Sequence, residues 1–140
     1  MVYDIIYDKD PKPEDINILS EGIANYAKLK KGHQPNEYFS FFIRDETDKI
    51  KAGCDGLMYY GCELYVDQLW VDGMLRGQSY GRQLMQSAEN LGRDKRCLFA
   101  TLTTMDWEAP DFYKKLGYEI EFERHGYRKQ SVLYFLRKDL

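Results

Sequence analysis

The sequence predicts a single α/β (α+β) domain: a mixed, mostly antiparallel central sheet of about six to seven strands, flanked by helices. Three observations carry that prediction. Three strand-like segments follow one another between Tyr38 and Val71, separated only by short turns. A strand, a helix and a second strand then run from Cys62 to Thr103, the order of a parallel βαβ crossover. Two further strand-like segments, 118–124 and 131–138, close the chain as a hairpin. At 140 residues, 44% hydrophobic and 15% aromatic, the chain is long enough for one core. No linker, repeat or low-complexity tract divides it, so residues 1–140 are expected to form one domain.

Each element has a local reason. Val2 to Tyr7 alternates weakly and stops at Asp8, Asp10 and Pro11, which predicts a short strand. Ile16, Leu19, Ile23, Tyr26 and Ala27 recur at helical spacing behind Pro13 and two acids, and that helix is expected to stop near Gly32. Tyr38–Arg44 reads as an aromatic strand facing mainly the core. Lys49–Tyr60 reads as a second strand, irregular at Gly53 and Gly56, and Cys62–Val71 as a third. Tyr80, Leu84, Ala88 and Leu91, with Met85 beside them, form one helical stripe for which Gly92 is the expected stop. Cys97–Thr103 is a short apolar strand, and Pro110–Leu116 a short helix ended by Gly117.

Composition removes several functions. The net charge of −3 leaves no cationic excess for a nucleic-acid backbone. No apolar run approaches the roughly 20 residues of a membrane helix, and the N-terminus has no leader-like core. Three cysteines, Cys54, Cys62 and Cys97, lack metal or disulfide spacing and read as reduced thiols, consistent with a cytoplasmic location. His33 and His125 sit in loop-like surroundings and support neither a triad nor a metal cluster, so no metal is expected.

The stretch LRGQSYGRQL, Leu75–Leu84, stands where the third strand meets the long helix. Helix N-termini leave backbone N–H groups unpaired at the positive end of the dipole, which suits an anion. Gly77 and Gly81 let the backbone approach a ligand closely. Arg76 and Arg82 add charge, and Gln78 adds a donor. Neither a Walker loop nor a dinucleotide fingerprint is present. On this stretch alone, a plain strand-to-helix turn remains an equal reading.

LWVDGMLRGQSYGRQLMQSAE resembles the acyl-CoA-binding motif of the GNAT N-acetyltransferase superfamily. There, Arg or Gln is followed by two variable residues, Gly, one variable residue, and Gly or Ala. Arg76 to Gly81 occupy these positions, with Ser79 where the family usually has glycine. EAPDFYKKLGYE, Glu108–Glu119, is similar to a second family segment through Ala109, Phe112, Tyr113, Gly117 and Tyr118. The order of elements agrees over nearly the whole chain.

The resemblance implies a fold in which the βαβ unit forms an acyl-CoA slot, with acetyl-CoA as donor and a primary amine as acceptor. Arg76, Gly77, Gln78, Ser79, Tyr80, Gly81 and Arg82 would hold the pyrophosphate. Leu69, Trp70 and Val71 would pair with the pantetheine arm, with Thr103, Ala109 and Phe112 also on the donor side. A positive φ at position 79 would strain a serine. Tyr113 matches the family's general acid, although a Phe-Tyr pair also serves a core. Asp67 matches the glutamate of some small-amine members and would act as base through a water; a solvated strand carboxylate is the other reading. Trp107 would wall the pocket or cover core. The segments 30–38 and 104–108 are the expected acceptor discriminators. The acceptor is a small amine or a protein amine, and a homodimer through the C-terminal strands is expected. A catalytically weak or inactive acyl-CoA-binding module is the alternative function.

Overall fold

The computed structural model describes residues 1–140, which divide into two units, Met1–Pro35 and Asn36–Leu140. In the first unit, α1 spans Pro13–Lys31. Proline at its start, Glu14 and Asp15 in its first turn and Lys28, Lys30 and Lys31 in its last all match the helix dipole. Gly32 ends it in the left-handed region, φ 69°, donating its N–H to the Lys28 carbonyl at 2.8 Å. The strand expected at Val2–Tyr7 does not form. Its weak alternation finds no ladder partner, and an unpaired segment gains no strand hydrogen bonds.

The second unit holds β1 (Glu37–Arg44), β2 (Ile50–Tyr59), β3 (Glu63–Val71), α2 (Tyr80–Asp94), β4 (Phe99–Met105), α3 (Pro110–Lys115), β5 (Glu119–Arg124) and β6 (Leu133–Asp139). They form a six-stranded sheet in the order β1-β2-β3-β4-β6-β5. Only β3 and β4 run parallel, with α2 as their crossover. β6 pairs on both sides, with β4 and with β5. The C-terminal apolar strand therefore has no free edge; the sheet's two edges are β1 and β5. No helix is long and apolar enough to cross a membrane.

Two features of this unit position the site. β3 and β4 share a ladder only over Glu63–Tyr65 and Phe99–Thr101; beyond it β3 runs on to Val71 and β4 to Met105 without pairing to each other. A bulge between Asp55 and Gly56 of β2 places two residues, Val66 and Gln68, around an unpaired Asp67. The bulge needs Gly56, because a Cβ there would lie 1.9 Å from the Tyr65 carbonyl oxygen.

The core lies between one face of the sheet and α2. Leu64, Val66, Ala100 and Leu136 meet Leu84, Met85 and Ala88. Gly92, expected to stop α2, lies inside it and is buried. A Cβ there would come within 3.2 Å of Leu64 and Leu140, so the residue serves close helix-to-sheet packing. The helix ends instead through Arg96 at φ 66°, with Cys97 N–H bonded to Gly92 O at 2.8 Å. That closure also delays β4, which starts at Phe99 rather than at Cys97. Glu89, also buried, accepts hydrogen bonds from Tyr118 Oη at 2.9 Å and Lys138 Nζ at 2.7 Å. This network ties α2 to β6.

Candidate active site

The turn after β3 is fixed before it meets any ligand. The Asp72 carboxylate accepts the Met74 N–H at 3.0 Å and faces Lys51 Nζ at 3.6 Å. The Met74 bond, then the Lys51 charge, hold that carboxyl below its ordinary value. Arg76 Nε donates to Val71 O at 3.1 Å, folding the guanidinium back over the strand end. Gly77 and Ser79 both adopt positive φ, 80° and 67°. Ser79 thus occupies the left-handed conformation that glycine adopts freely, and its hydroxyl makes no capping bond.

The first hydrogen bond of α2 runs from Gln83 N–H to Ser79 O at 3.0 Å. The N–H groups of Tyr80, Gly81 and Arg82 have no helical acceptor and converge at the positive end of the dipole. Gly81 lets the Phe112 ring come close, since a Cβ would sit 3.3 Å from it. A cleft of about 680 Å³ opens here, between the end of β3, the start of α2, and α3.

That cleft gathers Leu69, Trp70, Val71, Arg76, Gly77, Ser79, Tyr80, Gly81, Arg82, Ala109, Phe112 and Tyr113, all marked in the sequence. Gln78 and Thr103 do not line it. Gln78 Nε2 instead donates to Met74 O at 3.4 Å. Thr103 stands beside the Tyr65 phenol. Trp107 is solvent-exposed and does not line this cleft, so it does not cover core. Leu75, Lys115 and Leu116 also line the cleft but were not singled out from sequence. Lys115 was legible as the lysine two positions after the Tyr113 motif residue.

Tyr113 is held by α3, whose start is built by the end of β4. The Glu108 carboxylate accepts the Met105 N–H at 2.8 Å, and buried Thr104 Oγ1 accepts the Ala109 N–H at 3.3 Å. The Tyr113 ring packs edge-on against Phe112 and Tyr118, with centroids 5.1 and 6.0 Å away. Burial, reinforced by the Glu108 charge, pushes its phenol up to about 12. The Cys54 thiol beneath is pushed up to about 11 by burial and stays protonated.

Asp67 does not line this cleft. It lies across β3, in a second cavity on the opposite face of the sheet. Tyr65 Oη approaches its Oδ1 at 3.5 Å. Burial and then the Asp67 charge push the Tyr65 phenol up.

An anion-binding turn, an unpaired strand edge and a parallel crossover parting beside them define an acyl-CoA-dependent acyltransferase. The residues fit acetyl-CoA on their own chemistry: free amides and Arg76, Arg82 and Lys115 for phosphates, and the open edge of β3 for an amide-bearing arm. Residues 37–120 match the family model of the acetyltransferase (GNAT) domain. The blasticidin-S acetyltransferase of Streptomyces morookaense is 30% identical over 108 residues, covering 76% of this chain and 79% of that protein. A crystal structure of an acetyltransferase from Bacillus cereus superposes with a TM-score of 0.76 at 28% identity, covering 96% of this chain and 98% of the other. A putative acetyltransferase from Agrobacterium tumefaciens shares the fold, with a TM-score of 0.85 at 21% identity over 99% of this chain and all of the other, 100%. The chain belongs to the GNAT acetyltransferases, which take acetyl-CoA as acyl donor.

Proposed function

We propose that this protein moves the acetyl group of acetyl-CoA to the primary amine of a small molecule by direct attack. One observation carries the reading: β3 and β4 part just beyond Tyr65 and Thr101, and the donor cleft built on the end of β3 opens beside that parting. Donor and acceptor then approach from opposite faces and meet there. Bound acetyl-CoA supplies the thioester: the amine nitrogen bonds to the acetyl carbon and the carbon–sulfur bond breaks.

The chain's own groups handle the protons. Tyr113 keeps its proton at Oη through neutral pH because burial disfavours the phenolate, and it is the acid that delivers this proton to the departing sulfur. Asp67 receives the proton of the attacking amine, through a water because aspartate is short. The amide-rich turn from Arg76 to Arg82 holds the phosphates and fixes the donor's depth. Lys115, on α3, adds a cation to the same cleft. Relatives named for blasticidin S and for the N-epsilon position of thialysine support an amine acceptor.

Thiol release from acetyl-CoA across a panel of amines tests the reading. Tyr113→Phe and Asp67→Asn should each lower kcat by about 100-fold, with acetyl-CoA affinity changed less than about threefold. Turnover that survives both substitutions would refute the assigned roles.

A further inference from the structure

Tyr113 stands on α3, a helix of six residues with none of them fully buried. So short a helix does not hold itself, and the residues after it do the holding. Gly117 turns to φ 100° and its N–H donates to Lys114 O at 3.0 Å, while the Tyr118 N–H donates to Tyr113 O at 3.1 Å. This pair of bonds closes a helix through a left-handed residue, and such a closure brings the side chains at its two outer positions together. Here those side chains are Tyr113 and Tyr118, with ring centroids 6.0 Å apart and planes at 76°. The Tyr113 hydroxyl makes no hydrogen bond to the protein, so its ring contacts with Phe112 and Tyr118 set its place.

Tyr118 is itself anchored. It is 2% exposed, and its Oη donates to Glu89 Oε2 at 2.9 Å. Lys138 Nζ donates to the other oxygen of the same carboxylate at 2.7 Å. A buried carboxylate is costly without partners, and this one has both oxygens paired and its charge offset. Burial, then the Glu89 charge, push the Tyr118 phenol well above its ordinary value, so it remains a donor. A phenylalanine would fill the same space; the hydroxyl adds a tie from the ring to α2 and β6. The chain of contacts thus runs from Lys138 and Glu89 in the packed core, through Tyr118, to the tyrosine that lines the donor cleft.

We propose that Tyr118 is a positioning residue for acetyl transfer: held by Glu89 and Lys138, it keeps the Tyr113 hydroxyl in place at the donor cleft. The proposal rests on the acid role given to Tyr113 above and deepens it. Tyr118 moves no proton and touches no reactant; it acts through Tyr113 alone. Misplacing a catalytic group by about 1 Å costs up to about 100-fold in rate, so a loosened ring shows in turnover before it shows in donor binding.

The test is a cycle of two substitutions, read by thiol release at saturating amine. Tyr118→Phe keeps the ring and deletes only the hydroxyl. It should lower kcat by about 5- to 20-fold and change the KM for acetyl-CoA by less than about twofold. In Tyr113→Phe there is no hydroxyl to position, so adding Tyr118→Phe should lower kcat by less than about twofold further. An equal loss in both backgrounds, or no loss in the natural one, would overturn the proposal. If Tyr113→Phe itself leaves kcat unchanged, the acid reading fails, and the ring's position is read without turnover. NMR of protein with isotope-labelled tyrosine rings gives the flip rate of Tyr113, whose signals are the ones lost in Tyr113→Phe. Flipping at least about tenfold faster in Tyr118→Phe would sustain the positioning, and an unchanged rate would end it.

Discussion

Replacing Ser79 with glycine should stabilise the protein, and the reason lies in one dihedral angle. Ser79 sits at φ 67°, ψ 14°, at the first position before α2. A side chain in that region costs about 1–2 kcal/mol through its Cβ. Glycine removes the cost but adds freedom to the unfolded chain, worth about 0.5–1 kcal/mol against it. The net gain is about 0.5–1 kcal/mol, or about 2–4 °C in Tm for a chain of this size. Because the hydroxyl makes no capping bond, Ser79→Ala should change stability little. Ser79→Val should lower it by more than about 1 kcal/mol, since a branched Cβ fits the left-handed region worst. The strain belongs to the folded turn itself, so acetyl-CoA affinity should move less than about twofold in Ser79→Gly. Thermal unfolding of the three variants, with titration of acetyl-CoA, measures all of this. A lower Tm for Ser79→Gly, or a loss of about 1 kcal/mol in Ser79→Ala as from a missing cap, would refute the reasoning.

Gly56→Ala puts a methyl against the Tyr65 carbonyl and should cost at least about 2 kcal/mol, read from urea unfolding, while loosening the bulge that presents Asp67. Glu89→Ala strands Lys138 Nζ and the Tyr118 hydroxyl in a buried setting and should cost about 3 kcal/mol, whereas Arg93→Ala, at the exposed rim 3.7 Å from Glu89, should cost well under 1. Burial raises the phenols of both Tyr113 and Tyr118 above the ordinary 10.0, so folding holds protons that the unfolded chain releases. That part of the stability is whole below pH 10 and drains away as pH climbs toward 12; Tyr113→Phe should flatten the decline seen in unfolding curves between these values.

Much of the second unit was legible because its signals are local. Strand periodicity, the acidic or proline-led helix starts and the two motif segments each lie within a few consecutive residues, and β1 to β3, α2 and α3 fall within about two residues of their expected bounds. What failed depended on partners far along the chain. Gly92 reads as a stop, yet its lack of a side chain is used against Leu64 and Leu140. Val2–Tyr7 alternates without a neighbour to pair with. The placement of β6 between β4 and β5 follows from pairing, not from the composition of SVLYFLR.

The site divides the same way. The donor cleft is built from two short segments that carry family patterns, so nearly all its lining could be named in advance. The Gln68–Asp55 hydrogen bond could not, because only the register of β2 against β3 brings those two side chains together. Thr103 and Gln78 were marked by neighbourhood in sequence, but strand alternation turns the first toward Tyr65 and the turn bends the second back to Met74.

Amide hydrogen exchange of the full chain, with and without acetyl-CoA, tests the central claim most directly. Residues 69–71, 77–82 and 109–116 should slow together on adding acetyl-CoA and remain unchanged with ATP. Protection confined to other segments, or equal protection by ATP, would contradict the assignment of this cleft to the acyl donor.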